Sequence, residues 1–157
     1  MGTGVTGRFC RIVAGLVVCG QAAMLAGCDS GSPVDDLPYR SVQLTADCDP
    51  SQACRVEGGG LSAVIPLGPD IHALRPFPVT LESNKNLAIE AVLVSFSMHG
   101  MDMGSNLYRL ETDGQGSWRA QVILPICVSG RSDWLAEFEV RAVGQKLQFK
   151  LPFILQK

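Results

Sequence analysis

Histidine is nearly absent from this 157-residue chain, which has only His72 and His99. That scarcity excludes the HExxH pattern and any paired-histidine array, and neither a P-loop nor a nucleophile elbow accompanies the two. The expectation is a binding protein and not an enzyme. Basic side chains are also thin, 13 Lys and Arg against 15 Asp and Glu, and they form no patch or stripe. Nucleic acid is therefore not an expected partner. The apolar run Ile12 to Cys19 is too short to cross a bilayer. Beyond it the chain shows no internal repeat, low-complexity tract, CxxC spacing or convincing helical periodicity.

What opens the chain is a leader. Arg8 and Arg11 form a positive region, the apolar run follows, and small residues lead into Leu25-Ala26-Gly27-Cys28. That ending looks like a bacterial lipobox, in which cleavage precedes a cysteine that is then acylated. The expected division is a lipoprotein signal peptide over 1–27, a lipid-proximal linker over 28–40 and one folded domain over 41–157. Several acyl chains anchor more firmly than one, so the lipid bilayer is an expected partner through acylated Cys28. The implied location is the periplasmic face of a bacterial envelope, with Asp29 resembling a signal for the inner membrane. Loss of Arg8 and Arg11 leaves 11 basic against 15 acidic side chains, a formal charge of about −4.

After the linker the period is two. Stretches 41–46, 61–65, 78–83, 88–97, 106–112, 117–124, 135–143 and 146–155 read as strands separated by Gly, Pro, Asn or Asp. Trp118, Ala120, Val122 and Leu124 share one face, as do Ala136, Phe138, Val140 and Ala142, and Leu147, Phe149, Leu151 and Phe153. One face is dry and the other wet. Tight reversals at Asp113–Gly116 and Gly144–Gln145 imply antiparallel neighbours. The expected fold is all-β, an Ig-like antiparallel β-sandwich of about seven or eight strands.

Met98-His99-Gly100-Met101-Asp102-Met103-Gly104 is the chemically distinctive stretch. Outside Met1 and Met24, every methionine of the chain falls within these residues. Thioether sulfur is a soft ligand suited to Cu(I), and imidazole serves both copper oxidation states. Flanking glycines allow sharp backbone turns, so Met98, His99, Met101 and Met103 are candidate ligands of one ion. Methionine also fills irregular core gaps, and a Met-rich turn capping a core is the competing reading.

If each connection reverses the chain, strand parity places the methionine loop, Pro125–Asp133 and Pro66–Phe77 at one end of the sandwich. Cys127 and His72 thereby join the methionines as further candidate ligands, His72 the more remote. The same count places the pair Cys48 and Cys54, a plausible structural disulfide across a short turn-rich loop, at the opposite end. With Cys10 and Cys19 in the leader and Cys28 acylated, Cys127 is left as the odd thiol in an oxidising compartment. It is either a buried small hydrophobe, a thiolate beside the methionines, or a partner of Cys48 or Cys54.

A strand ending in Ser97-Met98-His99-Gly100-Met101-Asp102-Met103-Gly104, then Tyr108-Arg109-Leu110, then Gly116-Ser117-Trp118, resembles the YtkA/FixH-like group of small periplasmic domains. The resemblance covers roughly Pro78 to Phe153. It implies copper handling, with Met98, Met101 and Met103 carried over as ligands and a haem-copper oxidase assembly context. Together these readings imply a membrane-anchored Cu(I) metallochaperone that passes copper to a membrane or periplasmic protein. The alternative is a metal-free envelope interaction module whose methionine loop contacts a membrane-protein partner. The lipobox is checked first: Cys28→Ser should abolish palmitate labelling and move the protein from the membrane to the soluble fraction. Unchanged membrane retention would refute the anchor.

Overall fold

The computed structural model describes residues 37–45, 48–101 and 103–156. The leader, the lipidation site Cys28, Asp29, most of the linker and Asp102 lie outside the described residues. Every regular element among those described is a strand. In chain order they are β1 (Tyr39–Ser41), β2 (Gln43–Leu44), β3 (Cys54–Gly58), β4 (Leu61–Ile65) and β5 (Phe77–Ser83). β6 (Ile89–Ser97), β7 (Leu107–Thr112), β8 (Ser117–Val122), β9 (Asp133–Ala142) and β10 (Gln145–Ile154) complete the set.

The strands hydrogen-bond in one order, β1-β10-β9-β6-β7-β8-β5-β4-β3-β2. Two segments change layer to make this continuous. β7 pairs through Leu107–Leu110 with β6 and through Glu111 and Thr112 with β8. At the other side β1 pairs with β10, while β2, just beyond Val42, pairs with β3. Val42 N donates to Gln148 O at 2.8 Å, so the same short segment touches both layers. The fold is thus all-β, with ten strands in place of the expected seven or eight. It is not wholly antiparallel, because β1 runs parallel to β10. Tyr39 and Arg40 belong to β1 although their composition had placed them in the linker.

The core follows from alternation. β9 turns Trp134, Ala136, Phe138, Val140 and Ala142 inward, and β10 answers with Leu147, Phe149, Leu151 and Phe153. Phe138 and Phe149 are register partners whose rings stack with centroids 4.9 Å apart. Against them pack Val56, Ala63, Ile65, Val79, Leu81, Trp118 and Val122 from β3, β4, β5 and β8. Burying one such aromatic or leucine side chain contributes about 1.5–3 kcal/mol. Gly59, at φ +59°, lies where a Cβ would meet Leu147 Cδ2 at 2.6 Å, so the β3–β4 turn needs glycine to close against β10.

β3 carries the main correction. Cys54 and Val56 face inward and Arg55 and Glu57 outward, yet the three glycines from its last residue onward, Gly58 to Gly60, and the turn-rich loop before it disguise the strand in the sequence. One more strand inverts the parity of everything before it. Cys48 and Cys54 form a disulfide, but Asp49–Ser51 within its loop border the same small cleft as Gly68, Pro69 and Phe153. The pair therefore lies at the end of the fold that holds the Pro66–Phe77 loop, and not at the opposite end. Because the bridged cysteines are only six positions apart, the chain-entropy argument gives the disulfide about 2 kcal/mol. Cys48→Ser/Cys54→Ser should lower the urea unfolding free energy by about that amount with an unchanged m-value.

Candidate functional site

β6 turns Val92, Val94, Phe96 and Met98 inward, so the methionine stretch begins as a continuation of the core face. Phe96 anchors it. Its ring meets Phe77, Tyr108 and Phe153 edge-on at centroid distances of 6.3, 6.0 and 6.1 Å, joining three other strands beneath the loop. Met98 is only 3% exposed, which makes it a core residue. The chain then reverses: Met101 N donates to Met98 O at 3.1 Å, with Gly100 at φ +72°, the left-handed conformation favoured at the third position of a type II turn. Met101 and Met103 are half-buried against the core. Asn106 Nδ2 donates to Met103 O at 2.7 Å and holds the outgoing strand of the loop.

From the other side comes Cys127, in the connection between β8 and β9. It is buried, while Ile126 and Val128 on either side of it are exposed. Its thiol donates to Met101 Sδ with the sulfurs 3.6 Å apart. Its Sγ also lies 3.0 Å from Ser129 Oγ, and with the thiol proton committed to Met101 the hydroxyl is the donor. Gly130 N donates to Cys127 O at 3.0 Å and tightens this loop. The Ser129 hydroxyl is the largest cause holding the Cys127 thiol below its usual range, burial opposes it, and the backbone of Ser129 and Arg131 and the Arg131 charge assist.

Arg131 ties the two loops together. Its Nη1 donates to His99 O at 3.0 Å, and its Nε donates to Asp133 Oδ1 at 2.9 Å. Asp133 is in turn held below the ordinary carboxylate range, first by its hydrogen bond to Arg131 and to a smaller extent by the charge of His99. The His99 residue itself is exposed. His72 is half-buried, bridges to Gln156, and lines one cleft of about 600 Å³ together with Cys127 and Arg131.

The candidates thus separate. Met101 and Cys127 are in contact, Met98 stands behind Met101 through the turn, and His72 shares the cleft with Cys127. Met103 supports the loop, and His99 joins through its backbone carbonyl. Cys48 and Cys54 hold each other as a disulfide. Ser129 and Arg131 are the residues that sequence reasoning missed; the Cys127-x-Ser129 spacing was a signal for Ser129, since a hydroxyl two positions on can reach back to its neighbour, whereas Arg131 reaches a carbonyl 32 positions away and had no local signal. Among the described residues no group of three or more His, Cys, Asp or Glu converges as a metal site built from those ligands alone would require. The thioether and thiol are the soft donors that favour Cu(I). Sulfurs 3.6 Å apart are close enough for one soft ion at a metal–sulfur distance of about 2.3 Å to reach both.

No protein-family model matches the chain, and no curated protein matches it. One solved structure similar to it is an engineered protein, at 16% identity and a TM-score of 0.47, over 62% of this chain and 20% of that one. The chain thus spans about a fifth of that structure's length.

The hydrogen-bond geometry makes a thiol prediction. Cys127 should ionise at lower pH than an unperturbed cysteine, and Ser129→Ala should move the ionisation to higher pH. Ultraviolet absorbance of the thiolate against pH checks both. Coincident curves for the two proteins would show that the hydroxyl does not stabilise the thiolate.

Proposed function

We propose that the protein is a Cu(I)-binding metallochaperone, tethered by acylated Cys28 to a bacterial membrane on its periplasmic face, that passes copper to a membrane or periplasmic receiver. The observation that carries this reading is the contact between Cys127 Sγ and Met101 Sδ. A thiol proton lies between two soft donors, and a monovalent soft cation satisfies the same pair in its place. Cys127 then gives up its proton on loading, so affinity depends on pH. Ser129 stabilises the thiolate without competing for the ion, since oxygen is a poor ligand for Cu(I).

The site differs in emphasis from a ring of methionines. Met101 and Cys127 are the principal donors, His72 is the neighbouring imidazole across the cleft, and Met103 and His99 belong to the loop that positions Met101. Met98 contributes packing. Support for the YtkA/FixH-like likeness and for an oxidase-assembly context remains the sequence pattern at Met98–Gly104, Tyr108–Leu110 and Gly116–Trp118. The metal-free alternative used the methionines as an exposed contact surface. Their inward packing argues against that form of it.

Anaerobic titration with Cu(I) against a chromophoric chelator tests the proposal. Cys127→Ser and Met101→Leu should each lower affinity by at least the roughly tenfold that loss of a mere outer-shell partner costs. Met98→Leu should leave it nearly unchanged, and loading should release a proton near neutral pH. Affinity retained in the Cys127→Ser/Met101→Leu double variant would sink the copper reading.

A further inference from the structure

The cleft beside Cys127 has a wall that folding alone does not account for. His72, Ala73, Leu74 and Arg75 form a tight turn, Arg75 N donating to His72 O at 3.4 Å. Leu74 occupies its third position at φ +59°, the only non-glycine residue with positive φ among those described. A branched side chain in that conformation is strained, and glycine or asparagine is the usual occupant. Leu74 does not recover the strain by burial, because it is 60% exposed. Its N donates to Leu124 O at 2.9 Å, which holds it beside the loop that carries Ile126 and Val128. Those two are 61% and 100% exposed. Of the three, Ile126 lines the cleft, and the strained Leu74 lies between two residues that do, Ala73 and Arg75. An exposed large apolar side chain at a concavity whose wall carries backbone strain marks a contact surface.

The charge at this cleft has one sign. The charged residues that line it, Arg75 and Arg131, are both cationic, and none of its lining residues is a carboxylate, in a chain whose formal net charge is −2. Arg131 is satisfied by Asp133, whereas Arg75 makes no ion pair among the described residues. The cleft is also preformed: Gln156 N donates to Ile71 O at 2.7 Å and Leu155 N to Ser132 O at 2.8 Å, fixing its two sides to the end of β10.

We propose that this cleft docks an extended, acidic segment of the copper-receiving partner. An apolar side chain of that segment packs against Ala73, Ile126 and Leu155, and a carboxylate pairs with Arg75. The partner's role as receiver rests on the copper reading; the docking itself requires no metal. Cys127 is the one residue shared by the cleft and the sulfur pair, so a segment lying here reaches the thiolate directly. A concave site of about 600 Å³ suits a peptide strand, whereas a flat bilayer cannot enter it.

The test uses the full chain, metal-free in detergent, and a labelled peptide alternating aspartate with leucine, read by fluorescence anisotropy. The same peptide with lysine for aspartate is the control. The acidic peptide should bind and the lysine peptide should not. Arg75→Glu should weaken binding roughly tenfold or more, as loss of an interface arginine does. Ile126→Ser should weaken it several-fold without lowering the melting temperature, because Ile126 lines the cleft and is 61% exposed. Equal binding of both peptides, or indifference of the acidic peptide to Arg75→Glu, overturns the proposal. So does retention of the unacylated Cys28→Ser chain on phosphatidylglycerol liposomes that Arg75→Glu abolishes while no peptide binds, since the surface would then belong to a bilayer. Cu(I) affinity should be the same in both cleft variants as in the wild type. If the wild type binds acidic peptide but no copper, the docking stands and the copper reading alone falls.

Discussion

The unbroken pairing of β9 with β10 is the constraint on which the rest of the structure depends. From Gln145 opposite Ala142 to Ile154 opposite Asp133 the register has no bulge, so the inward faces of both strands stay aligned over ten residues. A slip of β10 by one position would send Leu147, Phe149, Leu151 and Phe153 to solvent together. β6 adds to this hairpin on one side and β1 on the other. Its C-terminal end is where the chain leaves β10 toward Leu155 and Gln156, and those residues form a wall of the cleft beside Cys127.

The site uses that frame in a specific way. Phe96, held edge-on by aromatic neighbours from β5, β7 and β10, is the last large core residue before the methionine turn. It fixes where Met98 ends and hence where Met101 begins its return. The loop bearing Cys127 arrives from β8 and is fastened to the methionine turn by Arg131 through the His99 carbonyl. Two irregular segments are therefore registered against each other by a guanidinium and by a sulfur contact. The thiol's lowered ionisation comes first from the Ser129 hydroxyl within its own loop, whereas its contact with the thioether comes from the meeting of the two loops.

Alternation carried much of the fold, and its failures are instructive. The faces of β8, β9 and β10 were legible because Val, Phe and Leu alternate there with Gln, Glu, Lys and Arg. β3 was not, since it is short, bounded by Gly58-Gly59-Gly60, and preceded by Asp49-Pro50-Ser51. Its omission reversed the assignment of the Cys48–Cys54 loop to an end of the fold, although the pairing of the two cysteines was readable from their proximity. The clustering of methionines marked the region of the site. It did not by itself separate them: Met98 is buried because it continues the inward phase of Val94 and Phe96, and the turn at Gly100 leaves Met101 at the edge of the core.

By itself the sequence determined the all-β class, the period and phase of its long strands, the positions of the sharp reversals and the Met98–Met103 cluster. These are local properties, dictated by side-chain periodicity and by the φ values that glycine permits. The tertiary structure decided what local chemistry cannot encode. β7 and the segment from Tyr39 to Leu44 change layer, and β1 runs parallel to β10, because distant backbone groups there find their partners. The meeting of Cys127 with Met101 across 26 positions likewise depends on two loops being brought to one end of the strands and held there by Arg131. Leu74 shows the same division: its residue type argues against a positive φ, and the hydrogen bond from its N to Leu124 O, a tertiary contact, holds the turn there.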